Sequence, residues 1–463
     1  MSEPIAELLE LDRRGAAPLS VQLADGLRRA ATSGALRGGD RLPSSRSLAA
    51  QLAVSRTVVA AAYDQLHAEG WLTGRRGSGT YLTAAPAPAH PDTTASAMPA
   101  DASALLDLRP GAPCVPAIDR AAWRRAWRAA ADHDPVIRKE RAGEPRYLAA
   151  VTDHLLRHRG LSAAGGTAIL ATSGASAAVN EIACALFRPG DSVAMEDPGY
   201  QRAVGAFRAA GVRVRPVPVD GEGLRVEELP PDIKAVYCTP AHQFPLGERM
   251  TARRRVQLVD YARANDVLLI EDDYDGELRY DTAPLPLLAA MAPDVVVHLG
   301  TTSKILSPTL GAGWLVAAPE VTEAVLAYRE QIGSTPGPAG QLVLAELAAH
   351  GDLARHLRRL RRVMPPRRAF VAAELARRGL AIRGDDAGSH LVIPLPSAEA
   401  EQRAVAEAAG RGVALDALAR HHIGPARTFG VALGYSAPSD DGLAAAVPIA
   451  AECLAHAATR TPS

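Results

Sequence analysis

Lysine is rare in this chain: among 51 Lys and Arg residues, lysine stands only at Lys139, Lys234 and Lys304. Lys304 sits in HLGTTSKILSP, directly after an apolar run. A primary amine can lose its proton and attack a carbonyl, which a guanidinium cannot do. Burial at a strand end lowers the amine's pKa and frees it for imine chemistry. A lysine so placed can equally do no more than reach solvent. Upstream, LLIEDDYDGEL puts an acidic cluster at the end of another apolar run. A carboxylate there suits pairing with a protonated ring nitrogen, and a solvated acidic turn is the plainer alternative. If the strand continues, Asp272 and Tyr274 project the same way. In ATSGASAAVNEIACALF a strand, a Ser-Gly turn and a helix follow one another. Helix N-termini of small residues bind anions, so Ser173, Gly174, Ala175 and Ser176 are candidates to cradle a phosphate. MEDPGYQRA places Tyr200 on a loop where its ring could stack on a flat molecule.

These pieces need a scaffold. From about residue 105 onward, short apolar runs such as DVLLIEDD and DVVVHLGTTSK alternate with longer helical patterns. Strands spaced by helices imply an α/β domain with a mostly parallel sheet covered on both faces. The chain from about 353 reads as a smaller C-terminal α+β lobe. Residues 84–104, APAPAHPDTTASAMPADASA and its flanking alanine, have the composition of an extended linker.

Residues 1–83 form a separate pattern. Apolar residues recur at helical spacing from Pro18 to Ser33, Ser45 to Leu52 reads as a short helix, and Ser55 caps a further helix that stops at Gly70. WLTGRRGSGTYL reads as two strands around a Gly-rich turn. This is an α+β winged helix-turn-helix, whose second helix enters the DNA major groove through its N-terminal residues. Between Ser20 and Thr83 eight Arg face four Asp and Glu, a local net of +4 in a chain of zero net charge. DNA binding needs only such a local basic face. A winged helix used for protein contacts is the alternative.

The four cysteines are scattered without a CxxC pair, which suits a reduced compartment and predicts neither disulfides nor a zinc site. The first residues lack an apolar core, so no signal peptide is expected, and a cytoplasmic location is.

RLPSSRSLAAQLAVSRTVVAAAYDQLHAEGWLTGRRGSGTYL closely resembles the DNA-binding domain of the GntR family. The resemblance implies phosphate and base contacts at Arg41, Ser44, Ser45, Arg46, Arg56 and Thr57, with Arg75, Arg76, Gly77 and Gly79 on the wing. The order of EDPGY, TPAHQFPLG, EDDYDGELRY, TSK and AGSHLVIPL resembles fold-type-I aminotransferases. Together the two halves resemble the MocR subgroup of GntR regulators. That resemblance implies pyridoxal 5'-phosphate as cofactor, Lys304 bonded to its aldehyde, Asp272 on the pyridine nitrogen and Tyr274 on the ring oxygen. It also implies Tyr200 beside the ring and the phosphate on Ser173 to Ser176.

The chain departs from that pattern at three places. Gly311 stands where the family's SKTLxPGLRLGY carries a phosphate-gripping Arg, RKERA (Arg138 to Ala142) replaces a Tyr-Gly-Asp-Pro segment, and Ala432 stands where many relatives carry a carboxylate-binding Arg. Arg202 could receive a carboxylate instead. The expectation is a homodimeric, DNA-binding transcription regulator that senses the cofactor or its amine adduct. The alternatives are a working aminotransferase, or a regulator whose large domain no longer binds the cofactor.

Overall fold

The computed structural model describes residues 5–75, 79–83, 105–161, 166–280 and 285–459, apart from the side chains of Glu7 and Arg75. The expected linker, 84–104, and the wing residues Arg76 and Gly77 lie outside the described residues. The chain divides into two compact units, Met1–Asp101 and Ala102–Ser463.

In the first unit, α1 (Leu19–Thr32), α2 (Ser45–Gln51) and α3 (Arg56–Ala68) pack around Leu23, Leu27, Leu48, Val59 and Leu66, all essentially excluded from solvent. Each such side chain contributes roughly 1.5–3 kcal/mol by burial. The starts of α2 and α3 are set by hydroxyl caps: Ser44 accepts from the Ser47 amide at 3.2 Å and Ser55 from the Val58 amide at 3.4 Å. Between them Ala53 takes φ +50°, which lets the chain turn in three residues. The Tyr63 hydroxyl donates to the Pro43 carbonyl at 2.9 Å and ties α3 to the segment before α2. The sheet holds one strand more than the sequence suggests. β1 (Arg41–Leu42) pairs antiparallel with β3 (Gly79–Leu82), which also pairs with β2 (Leu72–Arg75).

In the second unit the described residues include an eight-stranded sheet: β4 (Ala168–Thr172), β5 (Ser192–Asp197), β6 (Arg213–Asp220), β7 (Gly223–Leu224), β8 (Ala235–Cys238), β9 (Leu268–Asp273), β10 (Val296–Thr301) and β11 (Gly313–Ala317). Their order is β4-β11-β10-β9-β8-β5-β6-β7. The central strands run parallel, whereas β11 is antiparallel to both neighbours and β7 to β6, so the sheet is mixed rather than wholly parallel. β8, β9 and β10 are buried along nearly their whole length, which explains their continuous apolar runs. A smaller antiparallel sheet follows, β12 (His390–Leu395), β14 (Phe429–Gly434) and β13 (Asp416–Ala417), in the order β12-β14-β13. The final helix, Asp440–Thr459, is long and apolar enough to cross a membrane by composition. It instead buries Leu443, Val447, Ala450 and Leu454 in the core of this unit.

Candidate DNA-binding and cofactor sites

In the first unit Arg41, Ser44, Arg46, Arg56 and Thr57 are exposed, and Ser45 is half-buried at the start of α2. Among the described residues Arg41, Arg46 and Arg56 make no ion pair, so their guanidinium groups stand free to meet an anion. Arg56 and Thr57 open α3, and the Thr57 hydroxyl lies 2.7 Å from that of Ser55. Glycine is required at Gly79, where φ is +118° and an added Cβ would come within 2.9 Å of Arg41 Nε. Arg41 thus lies across the base of the wing. Ser44 spends its oxygen on the α2 cap, which leaves its hydroxyl hydrogen to donate.

In the second unit the carboxyl ends of the parallel strands open on a cavity of about 630 Å³, the usual ligand position in an open α/β sheet. Lys304, Asp272, Tyr274, Tyr200, Ala175 and Ser176 all line it. Ser173 is exposed and outside the lining. Gly174 is likewise outside the lining: its φ is +108°, and an added Cβ would stand 3.7 Å from Thr301 Oγ1 and 3.9 Å from Ser303 Oγ. The cradle at the start of Ala175–Leu186 is therefore shared with the Thr301–Ser303 hydroxyls, which sequence reading had noticed only as neighbours of the lysine.

Asp272 lies near the end of β9. Its Oδ2 accepts from the Tyr237 hydroxyl, while Oδ1 is buried without a hydrogen-bond partner. Burial raises its pKa to about 6 against the opposing pull of Tyr237 and Lys304. An orphaned buried carboxylate oxygen costs roughly 1–3 kcal/mol, and a cationic ring N–H in the cavity would satisfy it. β9 stops at Asp273, so Tyr274 is no longer on the strand, yet it still faces the cavity. Lys304 follows the end of β10 and donates to the Gly111 carbonyl. Burial lowers its pKa, partly offset by the charges of Asp275 and Asp272 and reinforced by Arg202. A lowered pKa is what an amine needs in order to attack an aldehyde.

The walls are aromatic. Phe244 meets Tyr200 and Tyr274 edge-on, at 5.9 Å and 6.0 Å between ring centres. The Tyr200 hydroxyl lies 2.9 Å from Ser176 Oγ, which links the ring wall to the anion cradle. Behind Tyr274 the structure assembles a group that sequence reading missed. His242 Nδ1 lies 3.1 Å from the Tyr274 hydroxyl and 3.0 Å from Asp275 Oδ2. His390, from the small sheet, packs on His242 at 4.9 Å between rings and bonds the Pro245 carbonyl through Nε2 at 2.9 Å. His242, Asp275 and His390 are close enough to ligate one ion, but these contacts make them a hydrogen-bonded support for Tyr274. The motifs TPAHQFPLG and AGSHLVIPL each carry one of the two histidines, but nothing in their spacing pairs His242 with His390.

The three departures have distinct settings. Gly311 takes φ +55° and a Cβ there would meet nothing within 4 Å. Ala432 is buried on β14 against Leu246, Val392 and Leu418, and its methyl group lies outside the cavity lining. Arg138 and Lys139 are exposed, and Arg141 pairs with Glu330 at 3.1 Å.

Residues 19–82 match the profile of bacterial regulatory proteins of the gntR family, and residues 109–427 that of aminotransferase class I and II. The chain is 36% identical to the HTH-type pyridoxine biosynthesis transcriptional regulator PdxR of Corynebacterium glutamicum, over 92% of this chain and 93% of that one. It is 32% identical to the probable rhizopine catabolism regulatory protein MocR of Rhizobium meliloti, over 93% and 92%. The chain belongs to the GntR family, in the group that joins a winged helix to an aminotransferase domain. Its fold also matches the solved kynurenine aminotransferase of Pyrococcus horikoshii, with a TM-score of 0.70 and 25% identity over 77% of this chain and 92% of that one. The protein is thus a transcription regulator of the MocR type, its first unit a DNA-binding module. Its larger part has the fold of a pyridoxal-phosphate-dependent enzyme family.

Proposed function

We propose that this regulator binds pyridoxal 5'-phosphate through Lys304 as a sensed ligand, and that occupancy of the cavity changes its hold on operator DNA. The observation that carries this reading is the pairing, in one cavity, of a desolvated Lys304 with the orphaned Asp272 Oδ1. When bound, the cofactor supplies an aldehyde for an amine and a pyridinium ring that withdraws electrons. The residues fit it. Lys304 offers the amine, Asp272 the carboxylate for the ring nitrogen, and Tyr274 a hydroxyl steadied by His242. Tyr200 and Phe244 offer aromatic walls, while Ala175, Ser176, Thr301 and Ser303 offer amide and hydroxyl donors to a phosphate. Arg202 stands by the Tyr200 phenol and its charge reaches Lys304, so a carboxylate-bearing amine is the second ligand it favours. DNA contacts fall to Arg41, Ser44, Ser45, Arg46, Arg56 and Thr57, and to the wing with Arg75, Arg76, Gly77 and Gly79.

The regulator works in the cytoplasm, and as a homodimer it presents two winged helices to paired half-sites. Turnover is secondary. The buried Ala432 offers no carboxylate grip, and Gly311 removes a cation from the phosphate end.

The test is a visible absorbance titration with pyridoxal phosphate, run beside Lys304→Ala, followed by mobility shifts on promoter DNA with and without the cofactor. A lysine-dependent band together with a change in DNA affinity supports the reading. A band without any change in DNA affinity defeats the sensing half. Absence of a band leaves a regulator whose cavity serves another ligand.

A further inference from the structure

Away from the cavity, α4 (Asp352–Ala376) carries an unusual concentration of charge. From Leu353 to Ala373 the sequence has seven Arg and no Asp or Glu, in a chain whose net charge is zero. Its apolar side, Leu353, Leu357, Leu360 and Met364, is buried. On the opposite side Arg355, Arg358, Arg359, Arg361 and Arg362 line an open depression of about 550 Å³. Three of them are braced in place. Arg355 bonds the His350 carbonyl at 2.7 Å and pairs with Asp352, Arg359 bonds the Ala117 carbonyl at 2.9 Å, and Arg361 bonds the Glu277 carbonyl at 3.3 Å. Arg361 Nη2 is nevertheless buried without a hydrogen-bond partner. Arg358 and Arg362 are exposed and, among the described residues, make no ion pair or side-chain hydrogen bond.

Like charges three and four residues apart on a helix repel by roughly 0.2–0.5 kcal/mol per pair. Asp352 and Asp119 are the acids near enough to answer them, through Arg355 and at 3.5 Å from Arg359. Such a face is kept at a cost that a bound polyanion removes. Guanidinium groups held by their own carbonyl contacts are pre-set forks for phosphate. Among the described residues arginine alone lines the depression, so it can grip a phosphate but offers no aromatic or apolar wall for a nucleoside attached to it. That suits a nucleic-acid backbone, gripped without reading its bases. DNA is already the partner of this regulator's first unit.

We propose that the arginine face of α4 is a second DNA-contacting surface, on the aminotransferase-like unit, that holds backbone phosphates independently of sequence. The inference does not depend on cofactor binding.

The test uses the full chain and a fluorescein-labelled 60-base-pair duplex of mixed sequence, followed by anisotropy across a salt series. The double variant Arg358→Ala with Arg362→Ala removes two exposed side chains that bond nothing in the fold, and thermal melts check that it stays folded. The slope of log affinity against log salt should flatten by about 1.8, because each lost phosphate contact removes roughly 0.9. Affinity at moderate salt should fall roughly tenfold, while the Lys pair (R358K with R362K) keeps the wild-type slope. An unchanged slope and affinity in the Ala variant overturns the proposal. So does an unchanged slope when tripolyphosphate raises the melting temperature of the wild type but not of the variant, since the face would then hold a small anion. Loss of slope in both the Ala and Lys pairs also overturns it, because charge alone would not be the cause.

Discussion

The two candidate sites of this regulator are built on opposite principles. Around α3 the side chains proposed for DNA contact are exposed, and what the fold supplies is their placement, through the Ser44 and Ser55 caps and the Tyr63 tie. In and behind the large cavity the titratable groups are buried: Asp272 is pushed up to about 6, His390 down to about 3, and Glu196, which accepts from the cavity-lining Thr239 hydroxyl at 2.6 Å, up to about 7, each chiefly by desolvation. A polyanion is held by charges that water can reach, because displaced counterions drive the binding. An amine and a carboxylate that must meet a neutral aldehyde and a ring nitrogen work better where water is excluded. One chain therefore carries a site sensitive to salt and a site sensitive to burial.

The sharpest way to separate them is Asp272→Asn. The amide keeps the shape and loses the charge, so cofactor affinity should fall roughly ten- to 150-fold, the worth of one charge-assisted hydrogen bond. DNA affinity without cofactor should not move. Equal cofactor affinity in the two proteins would mean that the orphaned oxygen serves something else.

Acid should distinguish the regions next. His390 is buried in neutral form, with its pKa near 3, first by desolvation and then by the neighbouring His242. The unfolded side chain titrates near 6.5, so between about 6.5 and 3 the unfolded state holds the extra proton and stability falls as pH falls. At pH 5 this amounts to about 2 kcal/mol. Asp272, Asp273 and Glu196, whose pKa values are raised, act in the opposite sense: their contribution is present at low pH and lost as pH rises through 6 to 7. The clean comparison is His390→Gln against wild type by denaturant unfolding at pH 7.5 and pH 5. The variant should lose about 2 kcal/mol less than wild type on acidification, and parallel losses would remove His390 from the account.

Arg56→Ala acts on the other side of the comparison. Operator affinity should weaken by about 1–2 kcal/mol and the salt slope should drop by about 1, with cofactor absorbance untouched. A drop in affinity at constant slope would assign Arg56 to a base rather than a phosphate.

These contrasts also explain what the sequence revealed. The family and both folds were legible because their signals are local: hydroxyl caps, Gly-rich turns, and strands ending in EDDYDGE and TTSK. Lys304, Asp272, Tyr274, Tyr200, Ala175 and Ser176 converge because each ends a strand or begins a helix on the same edge of one sheet. Ser173 does not, since the turn at Gly174 directs it outward. The support behind Tyr274 was not legible, because His242 lies in the loop after β8 and His390 opens β12, and the two meet only in the fold. Strand β1 escaped because two residues have no periodicity. The arginine face of α4 was not legible as a face, because it depends on which side of that helix is buried.

Gly311→Arg tests how far the large cavity has drifted from a tight cofactor site. The backbone there is left-handed, φ +55°, and a side chain would cost about 1 kcal/mol in strain. There is room for it, since nothing lies within 4 Å of the Cβ position, and Pro308, three residues earlier, lines the cavity. A new charge-assisted bond to a phosphate offers roughly 1.5–3 kcal/mol. That strain is present with and without ligand and so lowers stability alone; fixing the long side chain on binding costs about 1 kcal/mol, so the net gain is about 1 kcal/mol, or about fivefold tighter cofactor binding by absorbance titration. Tightening would mean that the anion cradle of Ser176, Thr301 and Ser303 lies within reach of residue 311 and has been left short of a cation. Unchanged affinity would mean that those hydroxyls and the Ala175 helix start hold the phosphate unaided. The phosphate grip would then be a property of the whole cradle rather than of residue 311, and Gly311 would owe its place to the left-handed turn there rather than to any loss at the ligand.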